Sequence, residues 1–571
     1  MAVTSPMARA IKHRMLGDSA SRQPEADIAS QVNETVRRAY TQSAFEPIWS
    51  EDGAVSLMTL ADHLPEYGLA PDTLPEADLR QLAEQRFQSE SPETRASADI
   101  ALSKAWLRLT AAVSGGWPGD KASAPSPQQT PAYAVLPQQL KIAGEGNAEK
   151  ALKSFEPTAP QYVALKQALA EYRAIRDNGG WLAIPSLADG EIIEAGDTDP
   201  RIPAIRERLA VESYDADRNL FNLVNDAIKA GQSDEETPVS SAAAASEIAT
   251  VDVEEAQQVL DPQRYDETLV EAVKTFQSRH GIKSDGVVGP NTLAAMNESV
   301  DSKIVRISES MDRWRKQGAM SERYIWANIP SYTAEGWKDG QREITVRTIV
   351  GTPEHETPAF NDEVEYAVAN PRWYTPASIV RNEKAPKLAN DPGYAQRSNF
   401  KVIDRATGQE VSAYSVNWKD ASAAENYRLV QMPGANNALG ELKIIFPNQY
   451  AIYLHGTPGK HLFDRAERAF SHGCIRLENP TEMAGWIAGL DSTTEADTLK
   501  QTVASKTRQK FEFKTRVPIH ITYMTVTVND DGSVNFWRDI YNRTGGIEQT
   551  HEMAPLDNPD SLMQTAKLEQ G

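Results

Sequence analysis

One stretch, residues 452–477, gathers side chains able to do covalent chemistry. It holds Cys474, the one cysteine among 571 residues, and three of the nine histidines: His455, His461 and His472. A thiolate attacks carbonyl carbon, and a neighbouring imidazole removes and returns the proton. Backbone amides, here those of Gly473 and Cys474, are candidate donors to the oxyanion that forms. His472 stands two residues before the sulfur, with a glycine between them that permits a tight turn. Arg476 places a cation near the thiol. It would lower the thiol pKa, hold a carboxylate, or pair with Glu478. Tyr453 precedes His455 by two and shares its face in a strand, for packing or for contact with a ligand. His461 reads as a loop or surface residue.

Other chemistries fit less well. A lone cysteine in an arbitrary chain is most often a small buried apolar residue. Zinc held by His455, His461, His472 and Cys474 satisfies tetrahedral N/S chemistry, but the spacing matches no metal motif. We therefore expect no metal and no cofactor. A protein that binds without catalysis is the non-enzymatic rival.

The elements around this stretch read as strands. Residues 324–329, 345–350 and 363–369 are apolar and β-branched. Leu442–Phe446 and Tyr450–Leu454 flank Pro447-Asn448-Gln449, a hairpin whose second strand delivers His455. If the chain is extended at 474–476, Cys474 and Arg476 share a face. Asn479-Pro480-Thr481-Glu482 starts a helix, with asparagine as cap. A final hairpin spans 517–528 and 533–537 around Asp531-Gly532.

The strings His455-Gly456-Thr457-Pro458 and Ser471-His472-Gly473-Cys474-Ile475-Arg476, with 19 residues from His455 to Cys474, resemble the signature of L,D-transpeptidases with a YkuD-type catalytic domain. The resemblance implies Cys474 as nucleophile, His455 as proton donor and acceptor, and His472 in support. Glycine at 456 departs from the commoner aspartate and leaves open what orients His455. Ser471, Tyr453 and Arg476 become substrate-binding candidates. So do Trp373 and Tyr374 in Asn370-Pro-Arg-Trp-Tyr-Thr-Pro376, which resemble cleft-lining aromatics. The implied substrates are peptidoglycan stem peptides, and the implied reaction joins diamino acid residues through a cysteine acyl-enzyme. Water or a protein amine are alternative acceptors. The resemblance also implies a periplasmic enzyme of cell wall biogenesis, acylated by carbapenems, with outer-membrane or wall-synthesis proteins as further partners.

A second motif lies upstream. Ala272-Val273-Lys-Thr-Phe276-Gln277, then Asp285-Gly286-Val-Val-Gly289 and Thr292, resembles the three-helix peptidoglycan-binding domain of type 1. Leu269, Ala272, Val273 and Phe276 share one helical face.

Length and composition bound the rest. The chain suffices for three or four domains. A net charge of −21 argues against nucleic acid as partner. No run of 18 apolar residues exists, and no export signal is visible in residues 1–31. The expected fold class is multidomain α+β. A disordered leader (1–30) precedes a helical scaffold (31–198), which resembles that of large Gram-negative L,D-transpeptidases. The binding module follows (199–300), with an acidic disordered insertion at about 229–262. The catalytic domain (301–545) carries an irregular capping insertion at about 377–440, and residues 546–571 form a polar tail.

Overall fold

The computed structural model describes residues 5–17, 28–70, 73–74, 76–115, 130–214, 262–318 and 320–544. The acidic insertion and the polar tail fall almost wholly outside these. The chain divides into two compact units.

The first unit takes in the described residues before 319, together with 525–537. Its N-terminal part is helical, as expected. The largest helix, Pro92–Ser114, starts on a Ser91 side-chain cap and stops at Gly115 in the left-handed region. Its own Trp106 is buried in one core with Trp49 and Tyr40. Asp99 lies fully buried on this helix and is matched by Arg86 at 2.5 Å, by the Tyr40 hydroxyl and by the Ile48 and Trp49 amides. A buried charge is tolerated when it is paired in this way. One expectation fails here. Pro6–Gly17, read as disordered leader, is a helix that buries Met7, Ala8 and Ile11 in the scaffold core.

The binding motif forms a helix, Glu267–Arg279, capped by Asp266, followed by Pro290–Met296 with proline in its first turn. Leu269, Ala272, Val273 and Phe276 are its core. The helix Val300–Gln317, expected in the catalytic domain, belongs to this first unit. So does the hairpin Val526–Val528 with Val534–Phe536. Gln161 holds that hairpin by accepting from the Val528 amide at 3.0 Å and donating to its carbonyl at 2.7 Å.

The second unit, 320–524 with 538–543, is built on a nine-stranded sheet. Its strands are β1 (Arg323–Asn328), β2 (Thr333–Lys338), β3 (Gln341–Gly351) and β4 (Phe360–Ala369). After an insertion, β9 (Leu442–Ile445), β10 (Leu454–His455), β11 (Ala469–Ser471), β12 (Ile475–Leu477) and β13 (Gln509–Thr522) complete it. The order is β11-β3-β12-β10-β9-β4-β13-β1-β2. Leu442, Ile444, Leu454, Ile475 and Leu477 point into one buried core, where Met483 and Ile487 of the helix Pro480–Gly489 cover them. Alternation sends Lys443, His455 and Arg476 to the opposite face. Asn479 precedes that helix but makes no side-chain cap; Pro480 alone sets its start.

The insertion is not irregular. Its strands β5 (Trp373–Tyr374), β6 (Phe400–Asp404), β7 (Glu410–Val411) and β8 (Tyr427–Gln431) make a separate sheet in the order β5-β8-β6-β7. With four short helices it closes a core of its own, including Val380, Leu388, Phe400, Trp418 and Leu429. The segment hides these apolar residues among many Asn, Asp and Lys, and its strands are too short to show a period.

Candidate active site

The site is set by strand register. β10 runs parallel to β12, with His455 opposite Arg476, and antiparallel to β9, with His455 opposite Lys443. Lys443, His455 and Arg476 thus form one row across three strands. Directly opposite residues in a sheet lie within side-chain contact, so two cations flank one imidazole. Cys474 stands one position before β12, close enough for the charges of Arg476 and Lys443 to act on its thiol.

His455 is buried at 5% exposure. Its Nδ1 lies 2.5 Å from the carbonyl of Gly456. Only a protonated Nδ1 can donate there, which leaves Nε2 as the free acceptor. The backbone therefore orients the ring, and a side chain at 456 is not needed for it. Burial, then the charge of Arg476, drives the His455 pKa down to about 3; the Gly456 carbonyl opposes this and Lys443 reinforces it. The imidazole is neutral at any working pH.

Cys474 is half-buried, and its sulfur lies 3.8 Å from the carbonyl of Ala451. Burial pushes the thiol above its ordinary value, while Tyr453, Arg476 and Lys443 pull it down. Tyr453 faces the sulfur with both its backbone amide and its phenol. The ring of Tyr453 sits 5.5 Å from that of His455. Arg476 has a buried Nε without a hydrogen-bond partner. The pairing with Glu478 is absent, because Glu478 binds Arg347. Burial lowers the pKa of Arg476, and the charges of Cys474 and Glu383 oppose this.

The turn that carries the sulfur is braced by hydroxyls. Ser471 Oγ donates to the Cys474 carbonyl at 2.6 Å and accepts from the Gly473 amide at 3.1 Å. Ser471 is 2% exposed and serves the turn, which corrects its reading as a substrate contact. The Gly473 amide, expected as an oxyanion donor, is likewise already spent on Ser471. Gly473 has φ +103°, a conformation that favours glycine. Its carbonyl accepts from Thr357 Oγ1 at 2.8 Å. Thr357 in turn accepts from the Gly351 amide, and its own amide donates to the Tyr541 hydroxyl.

The contacts of His472 are with residues outside this row. Its Nε2 lies 2.9 Å from Glu383 Oε1, and its ring stacks on His355 at 4.9 Å. The hydrogen bond to His472 draws the Glu383 pKa down to about 2, against burial. Trp373 packs inside the insertion against Phe400, with Lys384 over its ring. Tyr374 is 52% exposed on the same small sheet, beside Arg428. Neither contacts Cys474 or His455. His461 is exposed on the short helix Lys460–Asp464. Among the described residues no group of histidine, cysteine or carboxylate side chains is arranged to hold a metal.

Lys443, Glu383, His355 and Thr357 were not anticipated. Lys443 follows only from the register of β9 against β10. Glu383 and His355 are far from the motif in sequence.

Three stretches of the chain match known domain families. Residues 322–519 match the L,D-transpeptidase catalytic domain (YkuD), 34–169 the scaffold domain, and 252–296 the "Putative peptidoglycan binding domain". The chain is thus similar, over these stretches, to an L,D-transpeptidase catalytic domain, a scaffold domain and a peptidoglycan-binding domain. It is 34% identical over 218 residues to a "Putative L,D-transpeptidase" of Haemophilus influenzae, a match covering 38% of this chain. The chain spans under half of that relative, 44% of its length. An L,D-transpeptidase from Mycobacterium smegmatis overlaps 36% of this chain and 60% of its own, at 15% identity and a TM-score of 0.17. Mycobacterium tuberculosis L,D-transpeptidase 1 overlaps 36% and 63%, at 13% identity and a TM-score of 0.14. Scores this low carry no argument. No helix among the described residues is long and apolar enough to cross a membrane.

Proposed function

We propose that this chain is a peptidoglycan L,D-transpeptidase that works through an acyl-enzyme on Cys474. The observation that carries the reading is the row Lys443–His455–Arg476 beside the only thiol. The sulfur attacks the carbonyl carbon of the third stem residue. The bond to the terminal D-alanine breaks, the thiol proton passes through His455 to the leaving amine, and a thioester remains. The side-chain amine of a second stem then attacks. Its proton returns through His455, the C–S bond breaks and the thiol is restored.

The ground state is a neutral thiol beside a neutral imidazole, since burial disfavours charge on both. Proton removal thus accompanies attack rather than preceding it. Arg476 and Lys443 then stabilise the sulfur as it gains charge. With the Gly473 amide engaged by Ser471, the Cys474 amide is the backbone donor we assign to the oxyanion. The unpaired edge of Arg476 is suited to a substrate carboxylate. The match to a putative peptidoglycan-binding domain supports attachment to the wall, and on that reading we assign the enzyme to the periplasm.

Mass spectrometry of muropeptides incubated with the enzyme tests the reading. Cross-linked dimers joined between diamino acids, absent with Cys474→Ala, are the expected result. Tripeptide alone would identify water as acceptor, and a stem fused to a protein lysine would identify a tethering enzyme. Full activity of Cys474→Ala would overturn the acyl-enzyme itself.

A further inference from the structure

The turn carrying Cys474 is held at three successive residues. Ser471 fixes the carbonyl of Cys474, and Thr357 fixes that of Gly473. Both braces come from the large sheet and its loops. The third is of different origin: His472 is held by Glu383, which lies in the insertion, on the helical turn Val380–Lys384. That turn belongs to the core of the insertion through Val380.

We propose that Glu383 is a positioning residue, through which the insertion sets the geometry of the nucleophile turn. The proposal rests on Cys474 being the nucleophile. Glu383 touches neither the thiol nor His455. It acts through the imidazole of His472, one peptide unit from Gly473, whose left-handed backbone is the pivot of the turn. His355 stacks on the same ring, so the imidazole is clasped between a ring and a carboxylate. Two other charged groups bear on the contact. Lys384 lies 3.4 Å from Glu383 Oε2, and Arg476 feels the carboxylate through space.

Energetically the pair is minor. Glu383 and His472 are 36% and 46% exposed, and an ion pair so exposed contributes little to stability. Its effect is geometric. Displacement of a reacting group by about 1 Å can cost roughly 100-fold in rate. Glu383 is thus the one brace of the turn that the large sheet does not supply.

The sole cysteine makes the test direct, because alkylation by iodoacetamide reports Cys474 alone. Alkylation rate and stem-peptide turnover are measured from pH 5 to 9 for the parent chain, Glu383→Gln, Glu383→Ala and Cys474→Ala. Glu383→Ala should lose about 10- to 100-fold in kcat with an unchanged melting temperature. Its alkylation rate should differ from the parent's, because the turn that carries the sulfur has lost a brace. Glu383→Gln, which still accepts a hydrogen bond, should recover most of kcat. Parent-like kcat in Glu383→Ala overturns the proposal. So does a loss that is not recovered by glutamine or that comes with a lowered melting temperature, since each marks a merely structural role. Turnover by Cys474→Ala would instead remove the nucleophile reading beneath it.

Discussion

His455 and Arg476 stand directly opposite one another on adjacent parallel strands, so a fixed positive charge lies beside the imidazole proposed to carry protons. Burial and this charge together account for a pKa of about 3. In Arg476→Gln the imidazole should titrate higher, yet below the ordinary 6.5, because burial is the larger cause. Histidine-specific NMR of the two proteins measures this. An unchanged value would mean that burial acts alone.

The same depression places the acid limb of kcat/KM for stem peptide well below pH 6.5. His455→Ala should lose roughly 10²–10⁴-fold, and His472→Ala less. An acid limb centred near 6.5 that persists in His455→Ala would show that another base is at work.

Stability should also depend on these rings. Burial lowers the pKa of His455 to about 3 and of His520 to about 4, and holds His280 well below its usual value. Each group binds its proton more readily in the unfolded chain, near 6.5. Stability is therefore full above about pH 6.5 and is lost as pH falls toward 3–4. The loss approaches about 1.4 kcal/mol per pH unit for each group. Urea midpoints across pH 4 to 8 should fall on the acid side, and His520→Gln should reduce that slope.

Thr357 tests the brace under Gly473. Thr357→Val removes the donor to the Gly473 carbonyl and the acceptor for the Gly351 amide. Two buried backbone groups are orphaned, at a cost of about 1–3 kcal/mol each. Thr357→Ser should retain most of the stability and the rate of carbapenem acylation of Cys474. Equal melting temperatures for valine and threonine would remove the hydroxyl from the account.

In the binding module, Gln277 accepts from the Gly286 amide and donates to Asp285, the Val287 carbonyl and Thr292. Gln277→Leu should open this part of the first unit to limited proteolysis while leaving alkylation of Cys474 unchanged. Protease resistance equal to the parent would contradict that role.

Those last contacts show what the motif letters encode. Gln277, Asp285, Gly286 and Thr292 were legible as a pattern because they hold one another in a local fold, and the pattern reports the hydrogen bonds rather than a ligand. Cys474 and His455 were legible for a similar reason: their neighbours follow within a few residues. Lys443 and Thr357 were not, because register across a sheet is invisible along the chain. Trp373 was expected in a cleft and lies in a small core, since an aromatic residue reads the same in either place. The helix at Pro6–Gly17 escaped notice because only three buried residues mark it.

The insertion leaves β4 after Ala369 and returns to β9 at Leu442, and these two residues are register partners. Asn370 fastens the junction by donating its amide to the Glu441 carbonyl at 2.7 Å. The large sheet thus sees everything from 370 to 441 as one loop whose ends are already joined. Closure entropy grows only slowly with loop length, so the size of such a loop is nearly free to vary. An insertion attached in this way is a cassette. Its length can vary while the register of β4 on β9 is kept, provided that Glu383 stays in reach of His472.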